Sequence, residues 1–509
     1  MKMQKFAGKK VLAVSAIALL GALALSGCGG SDGAKGKKGA TNLVMYVIGD
    51  RPAGQDVHDE AFNKLISERM NPAMTDKMNV TLTVNWIPWS DFANKYPLLF
   101  SSGEEFDMAY TASWLNYTSL AQKGAFKELD TLWKEQAPKN FQRQSEAAKQ
   151  EASYDGHYYC VPTLLATYTA YGPMYRTDIM EGTDWNGSVS TFEDIEAYCD
   201  IVKKVRPDME PLDIFAQGSE WDDTFMYYNG LRSSKNATND FLFYDPQESS
   251  PKLTTYYEYA KTPEFLSMMS RWNEKGFFPK SALADTDSTK TQNGKAAMRT
   301  HNIDTWQGYC IIHPEYKLKY QNFTKWVTHL PFTQDAMVIS NTSKHPELAM
   351  QLWELITNDR EVFDAFFYGV LGTTYNLNEQ GEYVVTDSNL YAKSDMWAAR
   401  TSEFYRNDAG TPEEYNTDRQ GYENFMTSSP EARRAVQFEA FAIDTSKIET
   451  EYAACQNVHQ QYWWPLELGY TDASSGLNEY ESKMKAAGID KVKAEIQRQL
   501  DSYVAANVK

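Results

Sequence analysis

Aromatic side chains stand beside polar ones at several points of the sequence, mostly just after predicted strands. Trp89 follows the predicted strand 79–87, and Trp114 follows the predicted strand 106–110. The flat C–H face of a pyranose packs on a Trp or Tyr ring, while its hydroxyls need hydrogen-bonding neighbours. The pattern therefore indicates a site for a sugar-like ligand. The candidate residues in these clusters are Arg51, Trp89, Trp114, Tyr168, Tyr171, Trp221, Asp222, His301 and Trp306.

Each of these side chains also has a plain structural interpretation, because many aromatic rings in a folded protein pack in its core. Trp114, Trp221 and Trp306 stand in polar segments that we predict to be loops, where a large exposed ring favours ligand contact. Arg51 follows a predicted strand, where it could bind hydroxyls or a carboxylate or pair with a nearby acid. The sequence leaves both roles of Arg51 open.

Motifs for nucleophilic catalysis, phosphate binding, dinucleotide binding and zinc binding are absent from the sequence. Asp285 and Asp287 resemble the start of a calcium loop, but Lys290 and Ala296 replace the glycine and the glutamate that such a loop requires. We therefore expect no catalytic residue, no metal and no cofactor. A pair of carboxylates for glycoside hydrolysis stays open, since the sequence does not give the separation of its 68 acids.

The elements that must position these residues alternate between strand and helix, which predicts an α/β fold. Apolar or alternating runs predict strands at 43–48, 79–87 and 106–110, with helices at 56–70 and 90–100 between them. Such an order implies right-handed crossovers and a parallel sheet, and ligands bind at the carboxyl ends of its strands.

The segment 154–176 begins with the hairpin signal Asp155-Gly156, and we interpret it as a first crossover into a second lobe. Ser190 and Glu193 have the spacing of a capping box, and Thr262 is a candidate N-cap. Further predicted elements are helices at 191–205, 262–275, 345–359 and 488–506 and a strand at 295–300.

The N-terminus is typical of an export signal. Four lysines in residues 1–10 precede the apolar run 11–25, which is too short to span a bilayer, and the segment ends in Leu25-Ser26-Gly27-Cys28. This end resembles a bacterial lipoprotein signal, which implies cleavage after residue 27 and a lipid on Cys28. A plain signal peptide with an incidental cysteine is the alternative. The Gly- and Lys-rich residues 28–42 then form a flexible tether.

Composition excludes several other classes of protein. The chain has 509 residues, a formal net charge of −18 and an aromatic share of 14%, with 13 Trp and 32 Tyr. An acidic chain is a poor ligand for nucleic acid, and we expect none. The cysteines that remain after the anchor are widely spaced, and we predict buried free thiols at Cys160, Cys199, Cys310 and Cys455.

These segments together resemble a known family. They are the LSGC anchor, GDRP at 49–52, the block 86–114, GKAAM at 294–298, YGVLGTTYNL at 368–377 and the tail 485–503. The chain is similar to the extracellular solute-binding lipoproteins of bacterial carbohydrate ABC importers, in the maltose-binding-protein-like cluster.

The resemblance implies a periplasmic-binding-protein-like fold, in which hinge strands join two α/β lobes around an interlobe cleft. It adds Tyr375 to the candidate ligand-binding residues. It implies permease subunits as partners, a monomer, no enzymatic activity and a lipid-anchored position on the extracellular face of the cell membrane. The many aromatic rings suggest several stacking subsites and so favour an oligosaccharide as the ligand. The expected division is a signal peptide at 1–27, an anchor and tether at 28–42, lobe 1 at 43–165, mainly lobe 2 at 166–335 and a shared part at 336–509.

Other functions stay open at this point. The chain could be a cell-surface glycoside hydrolase or lyase, an adhesin or sensor without a transport role, or a binding protein for a peptide or another non-sugar solute.

Overall fold

The computed structural model describes residues 40–508 except 70–78, 89–90, 166, 186, 216–219, 236–239, 286, 288, 388–389 and 391–396. The predicted signal peptide, Cys28, most of the tether and Trp89 lie outside the described residues. The strands are β1 Thr41–Ile48, β2 Val80–Ile87, β3 Met108–Thr111, β4 Ser153–Tyr154, β5 His157–Tyr158, β6 Val161–Pro162, β7 Tyr168–Thr169, β8 Tyr171–Arg176, β9 Glu210–Leu212, β10 Arg232–Ser233, β11 Phe243–Tyr244, β12 Ala296–Asn302, β13 Leu318–Tyr320, β14 Thr328–His329, β15 Ala336–Ile339, β16 Tyr375–Leu377 and β17 Tyr383–Val385.

Helices follow most of these strands. They are α1 Gln55–Glu68, α2 Phe92–Ser101, α3 Tyr117–Gln122, α4 Asp130–Gln136, α5 Pro138–Arg143, α6 Glu146–Glu151, α7 Phe192–Val205, α8 Trp221–Tyr228, α9 Thr262–Lys275, α10 Ile303–Ile312, α11 Pro346–Asn358, α12 Arg360–Phe367, α13 Glu413–Ser428, α14 Pro430–Val436, α15 Glu449–Val458, α16 Trp464–Glu467, α17 Ala473–Ala487 and α18 Ile489–Asn507.

The first sheet has the strand order β2-β1-β3-β15-β6. β1 pairs in parallel with β2 and with β3, as the alternation of strands and helices predicts, while β15 joins antiparallel to β3. Apolar residues of β1 and β3 share one buried core with apolar residues of α1 and α2, as expected for strands with continuous hydrophobic runs.

A second sheet has the order β13-β8-β12-β9. β12 lies in parallel beside β9 and antiparallel beside β8. The predicted strand 295–300 is confirmed as β12, which extends two residues further, to Asn302.

Buried apolar side chains divide between these sheets. The first core, which defines lobe 1 here, takes its residues from the ranges 43–161 and 336–404. The second core takes its residues from 175–323 and 438–500, and a smaller cluster beside it includes Met174, Trp306 and Tyr415; together they define lobe 2. The chain therefore passes between the lobes near 162–170, near 327–336 and between 404 and 415. In the first two passages, β7 pairs antiparallel with β14.

The predicted hairpin turn is confirmed, whereas the predicted caps of two helices are wrong by one residue. Asp155 and Gly156 have positive φ values of 51° and 84° and turn the hairpin β4–β5 as predicted. The capping box of α7 was wrong by one position: Thr191 and Asp194 form it, because Thr191 Oγ1 accepts the Asp194 N–H and the Asp194 carboxylate accepts the Thr191 N–H. Thr262 is the first residue of α9 and not its N-cap.

The four cysteines Cys160, Cys199, Cys310 and Cys455 are buried free thiols, as predicted. Burial raises the pKa of Cys160 to about 12, so this thiol stays protonated and inert. Within the described ranges, no helix combines the length and apolarity needed to cross a bilayer.

Candidate functional site

The carboxyl ends of strands in both sheets lie beside the segments that join the lobes. In lobe 1, Thr111 ends β3 and pairs with Ala336, where the chain returns from lobe 2. In lobe 2, Asn302 ends β12 and pairs with Tyr171, where the chain arrives from lobe 1. The ligand-binding edges of the two sheets therefore meet at the connections, and this interlobe region is the candidate site.

Asp335 anchors the second connection to lobe 1. Its carboxylate accepts a hydrogen bond from the Tyr110 hydroxyl at 2.8 Å and forms an ion pair with Arg400 at 2.5 Å. The Arg400 carbonyl in turn accepts the backbone N–H of Leu164 and the hydroxyl of Thr163, both at 2.9 Å, in the first connection. Burial lowers the pKa of Arg400, but Asp335 and, to a smaller extent, Asp304 of lobe 2 raise it. We call the Asp335–Arg400 pair the floor of the site.

Tyr171 begins the lobe-2 wall of the site. Its half-buried ring lies 5.8 Å from the ring of Tyr227 and 6.3 Å from that of His301. The next residue must be glycine, because a Cβ on Gly172 would come within 1.9 Å of the Gln321 carbonyl oxygen. This close approach lets Phe323 donate its N–H to the Tyr171 carbonyl, which fixes the backbone behind the ring.

Glu220 lies at the centre of this wall, directly before α8. Its φ of 59° is left-handed, which is unusual for a glutamate. One carboxylate oxygen lies 3.6 Å from His301 Nε2 and 3.8 Å from the Arg299 guanidinium, and the other is buried without a hydrogen-bond partner. Burial, opposed by Arg299 and reinforced by Asp213 and Asp222, raises the pKa of Glu220 to about 7.

His301 is held neutral beside it. Burial and the positive charge of Arg299 lower the pKa of His301 to about 3, so the ring carries no charge at neutral pH. Its Nδ1 is 2.8 Å from the Thr305 hydroxyl, which fixes the ring on the first turn of α10. The wall therefore presents aromatic faces, a neutral imidazole and a carboxyl group, a set that can bind the hydroxyl groups of a ligand.

Of the residues predicted from the sequence, Tyr171 and His301 share this wall. Trp114 lies in lobe 1 after β3, half-buried in edge contact with Phe92 at 5.7 Å and tilted against Tyr110 at 6.2 Å. Arg51 also follows its strand as predicted, and its side chain forms an exposed ion pair with Asp56 at 2.5 Å. This exposed ion pair is one of the two roles that the sequence leaves open for Arg51.

The prediction that Trp221 and Trp306 lie in loops is wrong. Trp221 is the first residue of α8, is fully buried and packs edge-on against Trp272 at 5.6 Å. Asp222 is buried with it and accepts a hydrogen bond from Trp463 Nε1 at 2.7 Å. Trp306 is buried in α10 and donates to the Leu318 carbonyl at 3.2 Å. The polar neighbours of Trp221 suggest a loop, but the carboxylate of Asp222 is hydrogen-bonded to Trp463 inside the fold.

Tyr375 and Tyr168 are also buried. Tyr375 stacks on Tyr383 at 5.7 Å in the lobe-1 core. Tyr168 lies in the connecting strand β7, where its hydroxyl donates to Glu423 at 3.0 Å and its ring contacts His329 at 5.2 Å. The contacts of Tyr168 are those of a residue that joins the connections to α13.

Sequence reasoning missed Glu220, Arg299, Asp304 and Arg400. Glu220 stands directly before Trp221 and Asp304 stands two residues before Trp306, but nothing local in the sequence shows which partners these acids have in the fold. The pairing of Arg400 with Asp335 bridges 65 residues and has no local signature.

Among the described residues, Glu128, Asp130 and His157, beside the hairpin β4–β5, lie close enough together to hold a metal ion. Its His157 Nδ1 already contacts the Asp130 carboxylate at 2.6 Å, and this bond together with Glu128 raises the pKa of His157. The three side chains therefore form a surface ion-pair network with one another.

Comparison with known proteins gives the same fold. Residues 55–362 match the profile of a family described as bacterial extracellular solute-binding protein, and residues 437–505 match a domain of unknown function, DUF3502. A protein of Streptococcus pneumoniae serotype 4, named carbohydrate ABC transporter substrate-binding protein, is 26% identical over 475 residues and 90% of each chain.

Solved structures agree. The N-glycan transport solute binding protein NgtS of Streptococcus pneumoniae, in complex with Man1GlcNAc, has a TM-score of 0.73 at 21% identity, over 91% of this chain and 100% of that one. FusA of S. pneumoniae in complex with kestose has a TM-score of 0.62 at 14% identity, over 92% and 99%. The alginate-binding protein AlgQ2 has a TM-score of 0.62 at 16% identity, over 91% of this chain and 99% of that one. The predicted two-lobed α/β fold is thereby confirmed.

Proposed function

Since the chain belongs to the family of bacterial extracellular solute-binding proteins, we propose that it captures an oligosaccharide between its lobes and delivers it to an ABC permease. The observation that carries the proposal is the meeting of both sheets' carboxyl ends around aromatic and hydrogen-bonding side chains. The name of the 26% identical relative, which covers 90% of the chain, supports the carbohydrate class and the transporter partner.

The side chains at the interlobe site suit a sugar better than an ionic or an apolar solute. Trp114 on lobe 1 and Tyr171 on lobe 2 each offer a half-buried ring face or edge, and His301 and Glu220 offer hydrogen-bonding groups beside Tyr171. A ligand that bonds to both walls favours the closed state by its differential affinity for the two states. Closure about the connecting strands is the motion we propose.

For the site we retain Trp114, Tyr171 and His301 from the sequence-derived candidates. We also keep Arg51 and Trp89 as lobe-1 candidates, because each follows a predicted strand in the sequence. We propose that the ligand is released chemically unchanged, since the family is one of binding proteins. We accordingly propose no catalytic residue, metal or cofactor for this chain.

We also propose the division into a signal peptide at 1–27, a tether at 28–42, lobe 1 at 43–165, mainly lobe 2 at 166–335 and a shared part at 336–509, working as a monomer. A diacylglycerol on Cys28 would hold the protein on the extracellular face of the membrane. Labelling of cells with radioactive palmitate tests the anchor: wild type should take up label and Cys28→Ala should not. Equal labelling of both would contradict it.

Ligand binding is tested by a thermal-shift screen of oligosaccharides followed by calorimetry. A ligand at 100 times its Kd should stabilise the protein by roughly 2.7 kcal/mol. Trp114→Ala should weaken binding about tenfold, which corresponds to about 1.4 kcal/mol. Trp185→Ala is the matched control, because this half-buried ring packs on Tyr175, near the opposite end of β8 from Tyr171.

Wild-type protein that ignores every neutral and acidic glycan would contradict the sugar assignment. Trp185→Ala that loses as much affinity as Trp114→Ala would show that the effect is structural. Product release in the same tubes would indicate a hydrolase or lyase instead.

A further inference from the structure

The charges around Glu220 are unbalanced toward the acidic side. Asp213 and Asp222 both raise its pKa, and Arg299 opposes them. Asp223 adds a further carboxylate. Burial raises the pKa of the Tyr171 hydroxyl, and the carboxylates of Glu220, Asp223 and Asp304 raise it further. His301 is neutral and supplies no positive charge.

The other nearby cation is already engaged. Lys290 lies 3.9 Å from Asp213, but it is buried and forms closer ion pairs with Glu210 at 2.9 Å and Asp285 at 2.8 Å. Asp213 also accepts the N–H and the hydroxyl of Thr291. Among the described residues of this wall, Arg299 is therefore the cation that lies beside Glu220, at 3.8 Å, and it acts on Asp213 as well.

Glu220 is set as an acceptor for a group from outside the wall. Its side chain is 15% exposed, one of its oxygens is buried without a hydrogen-bond partner, and the left-handed backbone is a conformation that residues rarely keep without support. A buried carboxylate oxygen gains most from an N–H or O–H donor, because it has lost its water. A hydroxyl or an N-acetyl amide of a sugar is such a donor.

A sugar that bears a carboxylate would be repelled at this place, whereas a hydrogen-bond donor would be attracted. The charge of such a sugar would enter a wall of low dielectric that already holds an excess of carboxylates, and like charges in such a place repel strongly. We propose that Glu220 is the centre of a lobe-2 subsite that takes an uncharged sugar residue through a hydroxyl or amide N–H and rejects uronic and sialic acids. This inference rests on the proposed function and specifies the glycan class.

The test compares glycans that differ in one group. The probes are three glucuronic acid-containing oligosaccharides, each used as such and after reduction of its carboxyl group to the alcohol, with affinities measured by calorimetry. Wild type should bind at least one reduced glycan, and about tenfold or more tighter than its acidic parent. Glu220→Gln should bind that reduced glycan about tenfold more weakly and should discriminate less between the two forms.

Glu354→Gln is the matched control, since Glu354 is a buried carboxylate of the lobe-1 core that accepts the N–H groups of Lys139 and Asn140. It should alter the melting temperature and keep the wild-type ratio of affinities. An acidic glycan that binds wild type as tightly as its reduced form, or a Glu220→Gln variant with the wild-type ratio, would overturn the inference alone. Wild type that binds none of the six glycans would overturn the inference and count against the proposed function as well.

Discussion

Glu151 gives the pH dependence of this fold a specific sign. It ends α6 beneath the second connection between the lobes, where one carboxylate oxygen accepts the Thr333 N–H at 3.2 Å and the other is buried without a hydrogen-bond partner. Burial raises the pKa of Glu151 to about 8 from an ordinary value of 4.5. The folded protein therefore keeps a proton that the unfolded chain releases. The stability this proton adds is complete below pH 4.5 and is lost as the pH rises toward 8.

Other shifted groups set the window in which the effect is visible. Glu220, with its pKa raised to about 7, acts in the same direction as Glu151. Burial lowers the pKa of His301 and of His459 to about 3, so these two histidines stabilise the fold above their ordinary value of 6.5 and lose that contribution as the pH falls. Between pH 4.5 and 6.5 the glutamates and histidines offset each other. Above pH 6.5 the contribution of the two histidines is nearly constant, while that of the two glutamates is still being lost, so stability should decline.

The size of this decline in unfolding free energy follows from the interval between pH 6.5 and the raised pKa of Glu151. About one and a half pH units of the Glu151 titration lie above pH 6.5, and each unit is worth about 1.4 kcal/mol, so Glu151 should contribute a loss of roughly 2 kcal/mol by pH 8. Glu220 adds less than 1 kcal/mol on the same basis. The free energy of unfolding of wild type should thus fall by roughly 2–3 kcal/mol between pH 6.5 and 8.5.

Urea unfolding of wild type and Glu151→Gln at pH 6.5 and 8.5 measures this directly. The variant should lose most of the decline, because glutamine keeps an acceptor for Thr333 and has no proton to release. Glu105→Gln, at an exposed ion pair with Lys344, should retain the wild-type decline. A wild-type stability that is flat across this range, or a Glu151→Gln variant with the full decline, would refute the reasoning.

Three further predictions concern packing and chemistry. Trp221→Ala should cost about 3–5 kcal/mol of folding stability by urea unfolding, because its ring is fully buried, whereas Trp114→Ala should cost markedly less; equal losses would contradict their different burial. Arg400→Ala should cost about 3 kcal/mol in the same assay, since it leaves Asp335 buried without its cation, and a neutral result would remove this pair from the floor of the site. A thiol reagent should modify Cys160, Cys199, Cys310 and Cys455 in denaturant only, and a reductant should leave the melting temperature unchanged; rapid labelling of the native protein would contradict their burial.

The elements of the fold were largely readable from the sequence, because their signals are local. The apolar run 43–48 and the alternating run 79–87 carry the period of strands, and both strands end where predicted. The last helix begins and ends within one residue of the predicted range 488–506. Errors of one residue, as at the capping box of α7, arose where adjacent Ser and Thr can each serve as a cap.

The site was readable only in part, because its members are satisfied by distant partners. Asp222 made the segment of Trp221 seem a polar loop, yet its carboxylate is bonded to Trp463, 241 residues later. For Trp306 a local signal exists: Asn302 is a good N-cap residue and caps α10 by accepting the Thr305 N–H at 2.9 Å, which predicts a helix in place of a loop. Glu220 could not be singled out, since its importance lies in burial beside Arg299 and His301, which the second sheet creates.

Closure of two lobes on an oligosaccharide is the central claim, and small-angle X-ray scattering with and without a glycan found by the thermal-shift screen tests it most directly. The radius of gyration should decrease when the glycan is present at saturating concentration, and Trp114→Ala should require more glycan for the same decrease. A glycan that binds by calorimetry while the radius of gyration stays constant would contradict capture by closure.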